Sequence, residues 1–306
     1  MKILSVFAAF AALALPLTAV RADEEGAQLQ ALLDKTAPTI VTVKSVLKST
    51  AKGDGQGQDS ESPIAMQGVV VSADGLVMLT NLAFSPTRAM ELVGRGGGAE
   101  AAGMKVNPTA IKVIFAGDDK EYDAFLAATD TALDLAFVKI EGLADRKLAF
   151  VDFANNGTAT IGQKVVSIAR LQKGFDYAPF YQSGRVTGMI GKPRKALMLE
   201  GSVASFGLPV FALTGEPIGV LSTVVAGTSD EASAAGVSFN TFLRYLTGGG
   251  GGSNGAFVLP ATVVKGLIDQ AGKRAVEVGI ERAKKKAAAP SAAPVPSAPV
   301  KKPTKP

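Results

Sequence analysis

Hydrolysis through a side-chain hydroxyl needs the hydroxyl, a base that takes its proton, and donors that hold the oxyanion formed on attack. The stretch 204–220, ASFGLPVFALTGEPIGV, offers Ser205 beside a bulky ring, Phe206, followed by Gly207 and Leu208. Ser202 precedes it, and Lys195 lies further upstream. Carboxylates stand at Asp134 and in the group Asp118, Asp119 and Asp123. The 306 residues contain no histidine and no cysteine. The chain therefore supplies no imidazole base, no thiolate nucleophile and no zinc–thiolate site. A displaced nucleophile at Ser202 or Ser205, with Lys195 as its base, is the arrangement these residues could form. The three aspartates lack the spacing of a calcium loop and read as a solvated hairpin turn. The glycine clusters at 94–98 and 248–252 lack the Gly-Lys-Ser/Thr ending of a phosphate loop. No metal and no cofactor is expected.

The elements that would position these residues are mostly strands. TIVTVKSV (39–46) alternates with period two. QGVVVSADGLVMLTN (67–81) is a hairpin around Ala73-Asp74-Gly75, where glycine accepts the positive φ of a tight turn. IKVIFAG (111–117) and EYDAFLAATD (121–130) form a second hairpin, and LDLAFVKI (133–140) a further strand. A second run follows at 164–170, 184–191, 196–202 and 216–225. Residues 48–62 and 94–110 are polar or glycine-rich and read as loops. Short strands at this density, repeated in two runs, predict an all-β fold of two six-stranded antiparallel barrels. Leu29, Leu32 and Leu33 give a short N-terminal helix, 23–37. Val264, Leu267, Ile268 and Ala271 give a longer C-terminal helix, 261–287. The expected barrels are 38–145 and 146–260, and residues 288–306 form an Ala/Pro/Lys tail of polyproline II composition.

Residues 1–22 read as a secretory signal: Lys2, an apolar run, Pro16, then Val20-Arg21-Ala22 as the cleavage pattern, with the cut after Ala22. The expected location is periplasmic or extracellular, with an uncleaved anchor as the alternative. The formal net charge is +5. Lys2 and Arg21 contribute +2 and residues 281–306 contribute +6, which leaves −3 on residues 23–280. A body of that sign argues against nucleic-acid binding. The basic cluster Lys284-Lys285-Lys286 with Lys301, Lys302 and Lys305 is a solubilising tail, or one that is attracted to an anionic envelope surface.

Several motifs in order resemble the trypsin-like serine peptidases of the bacterial Deg/HtrA branch, over roughly residues 28–272. GVVVSADGLVMLTN resembles the hairpin that precedes the family's catalytic histidine, and Ala83 stands at that histidine's position. EYDAFLAATDTALDLAFVKI resembles the run in which an aspartate orients the histidine, here Asp134. GRVTGMIG and VDFANNGTATIGQKVVSIAR resemble parts of the second barrel. ASFGLPVFALTGEPIGVLS lies on the nucleophile loop, which places Phe206 at the serine. Ala204, Ser205, Gly207 and Leu208 form the altered oxyanion loop, with Ala204 and Leu208 where the family has glycine. GAFVLPATVVKGLIDQ resembles the closing strand and helix.

The resemblance implies a two-barrel peptidase fold whose triad keeps only its carboxylate. Loss of a triad member leaves an acceleration on the order of 10³–10⁴ over water. The expected function is that of an exported, catalytically inactive scaffold or regulator, which takes a protein or peptide ligand in the former substrate cleft. The rival readings are a serine endopeptidase with a relocated centre, and an envelope-attachment protein acting through its basic tail. The sequence leaves the oligomeric state open. Phe206 would either bury its ring and plug the old cleft or stand half exposed and grip an apolar partner.

Overall fold

The computed structural model describes residues 16–50, 59–81, 84, 105–118, 120–144, 146–192, 194–201, 205–222 and 257–288. Helix α1 (Pro16–Thr36) leads through a 3₁₀ turn, Ala37–Thr39, into β1 (Ile40–Thr50). The first barrel continues with β2 (Asp59–Val70), β3 (Leu76–Thr80), β4 (Lys105–Phe115), β5 (Glu121–Asp130) and β6 (Leu135–Ile140). The second is built from β7 (Lys164–Arg170), β8 (Pro179–Ile190), β9 (Ala196–Gly201), β10 (Pro209–Ala212), β11 (Pro217–Ser222) and β12 (Phe257–Pro260). Helix α2 (Ala261–Ala288) closes the described chain. Each barrel is closed and antiparallel. Around the ring the strand order is β1-β2-β3-β6-β5-β4 in the first and β7-β8-β9-β12-β11-β10 in the second, so the second run repeats the first one's topology.

Several boundaries differ from the sequence reading. The polar stretch 48–62 is not all loop: β1 reaches Thr50 and β2 starts at Asp59, with Thr50 paired to Asp59. The loop assigned to 94–110 is likewise shortened, because β4 starts at Lys105 and pairs Lys105 with Thr50. Long-range ladder pairing overrides weak local strand propensity at these ends. Strand β8 begins at Pro179 rather than 184, along a continuous register with β7. Helix α1 begins at Pro16 and runs past Ala22, the expected cleavage point. Residues 1–15, 51–58, 85–104, 223–256 and 289–306 lie outside the described residues.

Side chains alternate across a strand, and here the two faces serve two different cores. In β3, Val77 and Leu79 fill the first barrel's interior, whereas Leu76 and Met78 face a layer between the barrels. In β6, Ala136 and Val138 point inward and Leu135 and Phe137 outward into that same layer. On the other side Val210 and Ala212 of β10 join the second interior and Phe211 joins the layer. All five residues of β3 are therefore buried. Val151 and Phe153 of the connecting segment, Leu32 of α1, and Val264 and Ile268 of α2 complete the layer.

Polar contacts pin the same interface. Gln67 Nε2 donates to the Arg170 carbonyl at 2.8 Å, and the Arg170 amide donates back to Gln67 Oε1 at 2.8 Å. The Arg170 guanidinium donates twice to the Ala37 carbonyl, at 2.9 and 2.7 Å, and once to the Tyr177 carbonyl at 2.9 Å. One side chain thus joins β7, the turn after α1 and the β7–β8 loop. Burial pulls its pKa below the ordinary arginine value, which marks how much water it has lost. Replacement by Met keeps an apolar stem and removes the donors. Arg170→Met is expected to cost about 1–3 kcal/mol, because partly buried carbonyls lose their partners. Urea unfolding of the variant and the parent checks this.

Candidate functional site

The residues that the sequence singled out converge on one strand end. Asp134 sits at the last position of the turn between β5 and β6, with φ +54°, and is 2 % exposed. Its Oδ2 accepts from Thr80 Oγ1 at 3.0 Å, and its carbonyl accepts the Asn81 amide at 3.0 Å. The turn is held on three sides. The Leu133 amide donates to Asp130 Oδ1 at 2.9 Å. From the second barrel, Ser222 Oγ donates to the Leu133 carbonyl at 3.0 Å and Arg194 Nη1 to the Ala132 carbonyl at 2.8 Å. Asp134 is thus a buried carboxylate in a fixed orientation.

The 205–208 turn meets the same strand end from the opposite side. Gly207 has φ +83°, and a Cβ there would stand 2.4 Å from the Thr80 amide nitrogen and 2.8 Å from the Leu79 carbonyl carbon. The turn is packed directly on the backbone of β3, which only glycine permits. The Gly207 amide donates to the Leu221 carbonyl at 2.8 Å, the Leu221 amide to the Leu208 carbonyl at 3.1 Å, and the Leu208 amide to the Ser205 carbonyl at 3.2 Å. The Gly207 amide is thus committed to β11 and the Leu208 amide to the turn itself. Thr80 is the hinge of the site: its hydroxyl holds Asp134 and its backbone seats Gly207.

Phe206 turns inward. Its ring is 7 % exposed and packs in the second barrel's interior with Val165, Val210 and Leu221. Two residues on, Leu208 is fully buried but belongs to the layer between the barrels. The loop has become a pair of hydrophobic pegs on either side of Gly207, one for each core. Burying a side chain of this size contributes about 1.5–3 kcal/mol. The exposed, gripping placement of the ring is not the one observed. Ser205 is half-buried at the start of the turn. Ala83, Ala204 and Ser202 lie outside the described residues.

Other candidates resolve into ordinary contacts. Asp118 Oδ2 accepts from Arg146 at 2.7 Å and Asp123 pairs with Lys112 at 2.5 Å. The hydrogen bond from Arg146 leads the causes that hold the Asp118 carboxyl below its usual value, and the bond from Lys112 does the same for Asp123. Asp119 lies outside the described residues. Sequence reasoning did not single out Thr80, Ser222 or Arg194. Their contacts span 54, 89 and 62 positions, and no local pattern announces them.

Gly207→Ala adds a Cβ that overlaps the β3 backbone, at a φ that β-carbons resist. It is expected to destabilise by at least about 1–3 kcal/mol, the range of core overpacking. Thermal or urea unfolding against Gly272→Ala measures it, since a Cβ at Gly272 meets nothing within 4 Å.

Comparison with known proteins gives three results. No curated protein matches the chain. A crystal structure of Deg5 is similar at 20 % identity and TM-score 0.44, covering 65 % of this chain and 85 % of that one. The family model described as the trypsin-like peptidase domain matches residues 66–220, which run from β2 through the Asp134 turn and the Phe206 loop into β11. With that match over half its length, and with two closed six-stranded barrels meeting at these loops, the chain belongs to the trypsin-like peptidase domain family.

Proposed function

We propose that this chain is a trypsin-like domain that does not hydrolyse peptide bonds and acts by binding, as an exported scaffold or regulator that takes protein or peptide segments. One observation carries the reading: the residue at the nucleophile position is a ring buried in the second barrel. Attack on a carbonyl needs an oxygen that faces substrate and a base within hydrogen-bond reach of its proton. Phe206 supplies no oxygen. The sequence contains no imidazole to act as the base. The carboxylate that would orient such a base, Asp134, is buried and already accepts from Thr80. The resemblance to the Deg/HtrA branch, whose members act on polypeptides, and the leader-like first residues motivate the binding role and the exported location.

Two measurements test the two halves of this reading. A fluorophosphonate probe is expected to label neither the protein nor Ser205→Ala, and labelled unfolded casein is expected to be bound saturably and recovered at full length. Labelling lost in Ser205→Ala, or cut casein, would establish a relocated serine centre. Casein that is neither cut nor bound would remove the polypeptide-binding half. A single reversion, Phe206→Ser, is expected to restore no hydrolysis, since the base is still missing. It should cost about 3–5 kcal/mol of stability, as for other losses of a buried aromatic ring. Casein turnover and urea unfolding of that variant are the readouts.

A further inference from the structure

The outer face of the second barrel carries an apolar strip that starts at the candidate site and leads away from it. Ser222, whose hydroxyl donates to the Leu133 carbonyl, is the cross-strand partner of Phe257. Phe257 is in turn the partner of Met198, and Met198 of Gly188. Cross-strand partners share a face of the sheet. This face points away from the barrel interior, which Leu197, Leu199 and Val258 fill from the other side. Phe257 is half-buried, whereas Met198 is 43 % exposed. Gly188 lets Met198 lie down: a Cβ there would stand 3.4 Å from the Met198 Sδ, so the thioether covers the glycine instead of standing off the sheet. Met189, the next residue of β8, is 53 % exposed. Open thioether side chains in line with an aromatic ring make an adaptable apolar surface, of the kind that accepts varied partners.

The strip ends at the turn between β8 and β9. Lys192 and Lys195 are exposed there, and among the described residues neither makes an ion pair. Lys44, Lys112, Lys139, Lys164 and Lys265, by contrast, each hold a carboxylate. The third cation of the turn, Arg194, donates to the Ala132 carbonyl and ties the turn to the first barrel. Carboxylates on the elements around the turn are engaged or matched elsewhere. Asp130 accepts the Leu133 amide, and Glu200, further along β9, stands opposite Arg185. The turn therefore sets uncompensated positive charge beside the exposed methionines.

We propose that this strip takes polypeptide segments in which a large apolar residue lies about three residues from a pair of carboxylates. The proposal rests on the polypeptide-binding reading above and gives it a place and a chemistry. The apolar side chain covers Met198 and Met189, and the carboxylates meet Lys192 and Lys195. The strand sets the spacing. From Met198 to Lys195 the extended chain covers about 10 Å at about 3.3 Å per residue, and an extended segment lying along it needs the same number of residues. The thioethers supply apolar contact with little demand on shape. The lysines select against basic segments, since like charges facing each other are penalised.

Two fluorescent peptides test this on the full chain: Gly-Ser-Leu-Phe-Gly-Ser-Asp-Glu-Gly-Ser, and the same sequence with Lys-Lys in place of Asp-Glu. In anisotropy titrations the acidic peptide is expected to bind at least about tenfold more tightly than the basic one. Met189→Gln with Met198→Gln should weaken the acidic peptide by about tenfold or more. Lys192→Glu with Lys195→Glu should reverse the preference, so that the basic peptide becomes the tighter ligand. Urea unfolding confirms that both double variants are folded. An acidic peptide that the parent does not bind, or that binds the parent and both double variants equally, would overturn the proposal. Vesicles of phosphatidylcholine with phosphatidylglycerol that capture the parent and not the charge-reversed variant, while the acidic peptide stays unbound, would give the turn to an anionic lipid surface and overturn it too. Casein separates this site from the broader reading. Casein held by the parent and lost from the double variants would support the strip; casein held equally by all three would overturn the strip and leave polypeptide binding standing elsewhere on the domain.

Discussion

Everything in this molecule depends on a hydrophobic layer that belongs to neither barrel. A closed barrel has no edges to pair, so two of them can associate only through side chains on their outer faces. The strands at the junction must then be apolar on both sides. β3 and β6 meet that demand from the first barrel, and β10 with Val220 of β11 meets it from the second. The connecting segment and both helices add Val151, Phe153, Leu32 and Ile268 to the same cluster. Burial on this scale is non-directional. Orientation comes instead from the Arg170 hub and the reciprocal Gln67–Arg170 pair, which tolerate one relative placement of the barrels.

The candidate site is a consequence of that placement. The turn before β6 and the turn before β10 come from different barrels, yet both close on Thr80 at the end of β3. In a hydrolytic version of this geometry, a carboxylate, an imidazole and a hydroxyl would line up across the junction. Here the carboxylate keeps its buried, hydrogen-bonded seat. The opposite turn has been turned over to packing, with Phe206 in one core and Leu208 in the layer. Burial on both sides of Gly207 fixes this loop in the packing of two cores. Asp134 still holds a left-handed backbone conformation, a local cost that the surrounding bonds from Thr80, Ser222 and Arg194 offset.

The charge distribution separates the same way. Most ion pairs among the described residues are exposed: Lys44–Glu121 and Lys112–Asp123 across strands, Lys265–Asp269 and Arg274–Glu277 along α2. Pairs of this kind contribute little to stability. Their value lies in keeping a mildly acidic barrel surface solvated while the positive charge collects at the end of α2 and beyond. The apolar side chains left exposed along α2, Val276 and Ile280, lie about one to two turns before that basic end.

The sequence by itself determined most element types, the double run of strands, and the absence of any imidazole or thiol. Period-two alternation marks β1 directly, the Ala73-Asp74-Gly75 turn marks its hairpin, and the absence of histidine and the presence of Phe206 are facts of the sequence. Strand ends were less legible. Asp59–Ser62 and Lys105–Pro108 have polar or proline-containing sequences, and only their partners across the β1 ladder make them strands. Only the tertiary structure decided where the Phe206 ring points, because either direction off the turn satisfies the local sequence. The inward direction won because the second barrel's interior had room for a ring, while Gly207 had to lie flat on β3. The roles of Thr80, Ser222 and Arg194 were decided at the same level. A hydroxyl or guanidinium carries no sign of the carbonyl or carboxylate it will meet many tens of residues away, and such contacts exist only once both barrels have closed and docked.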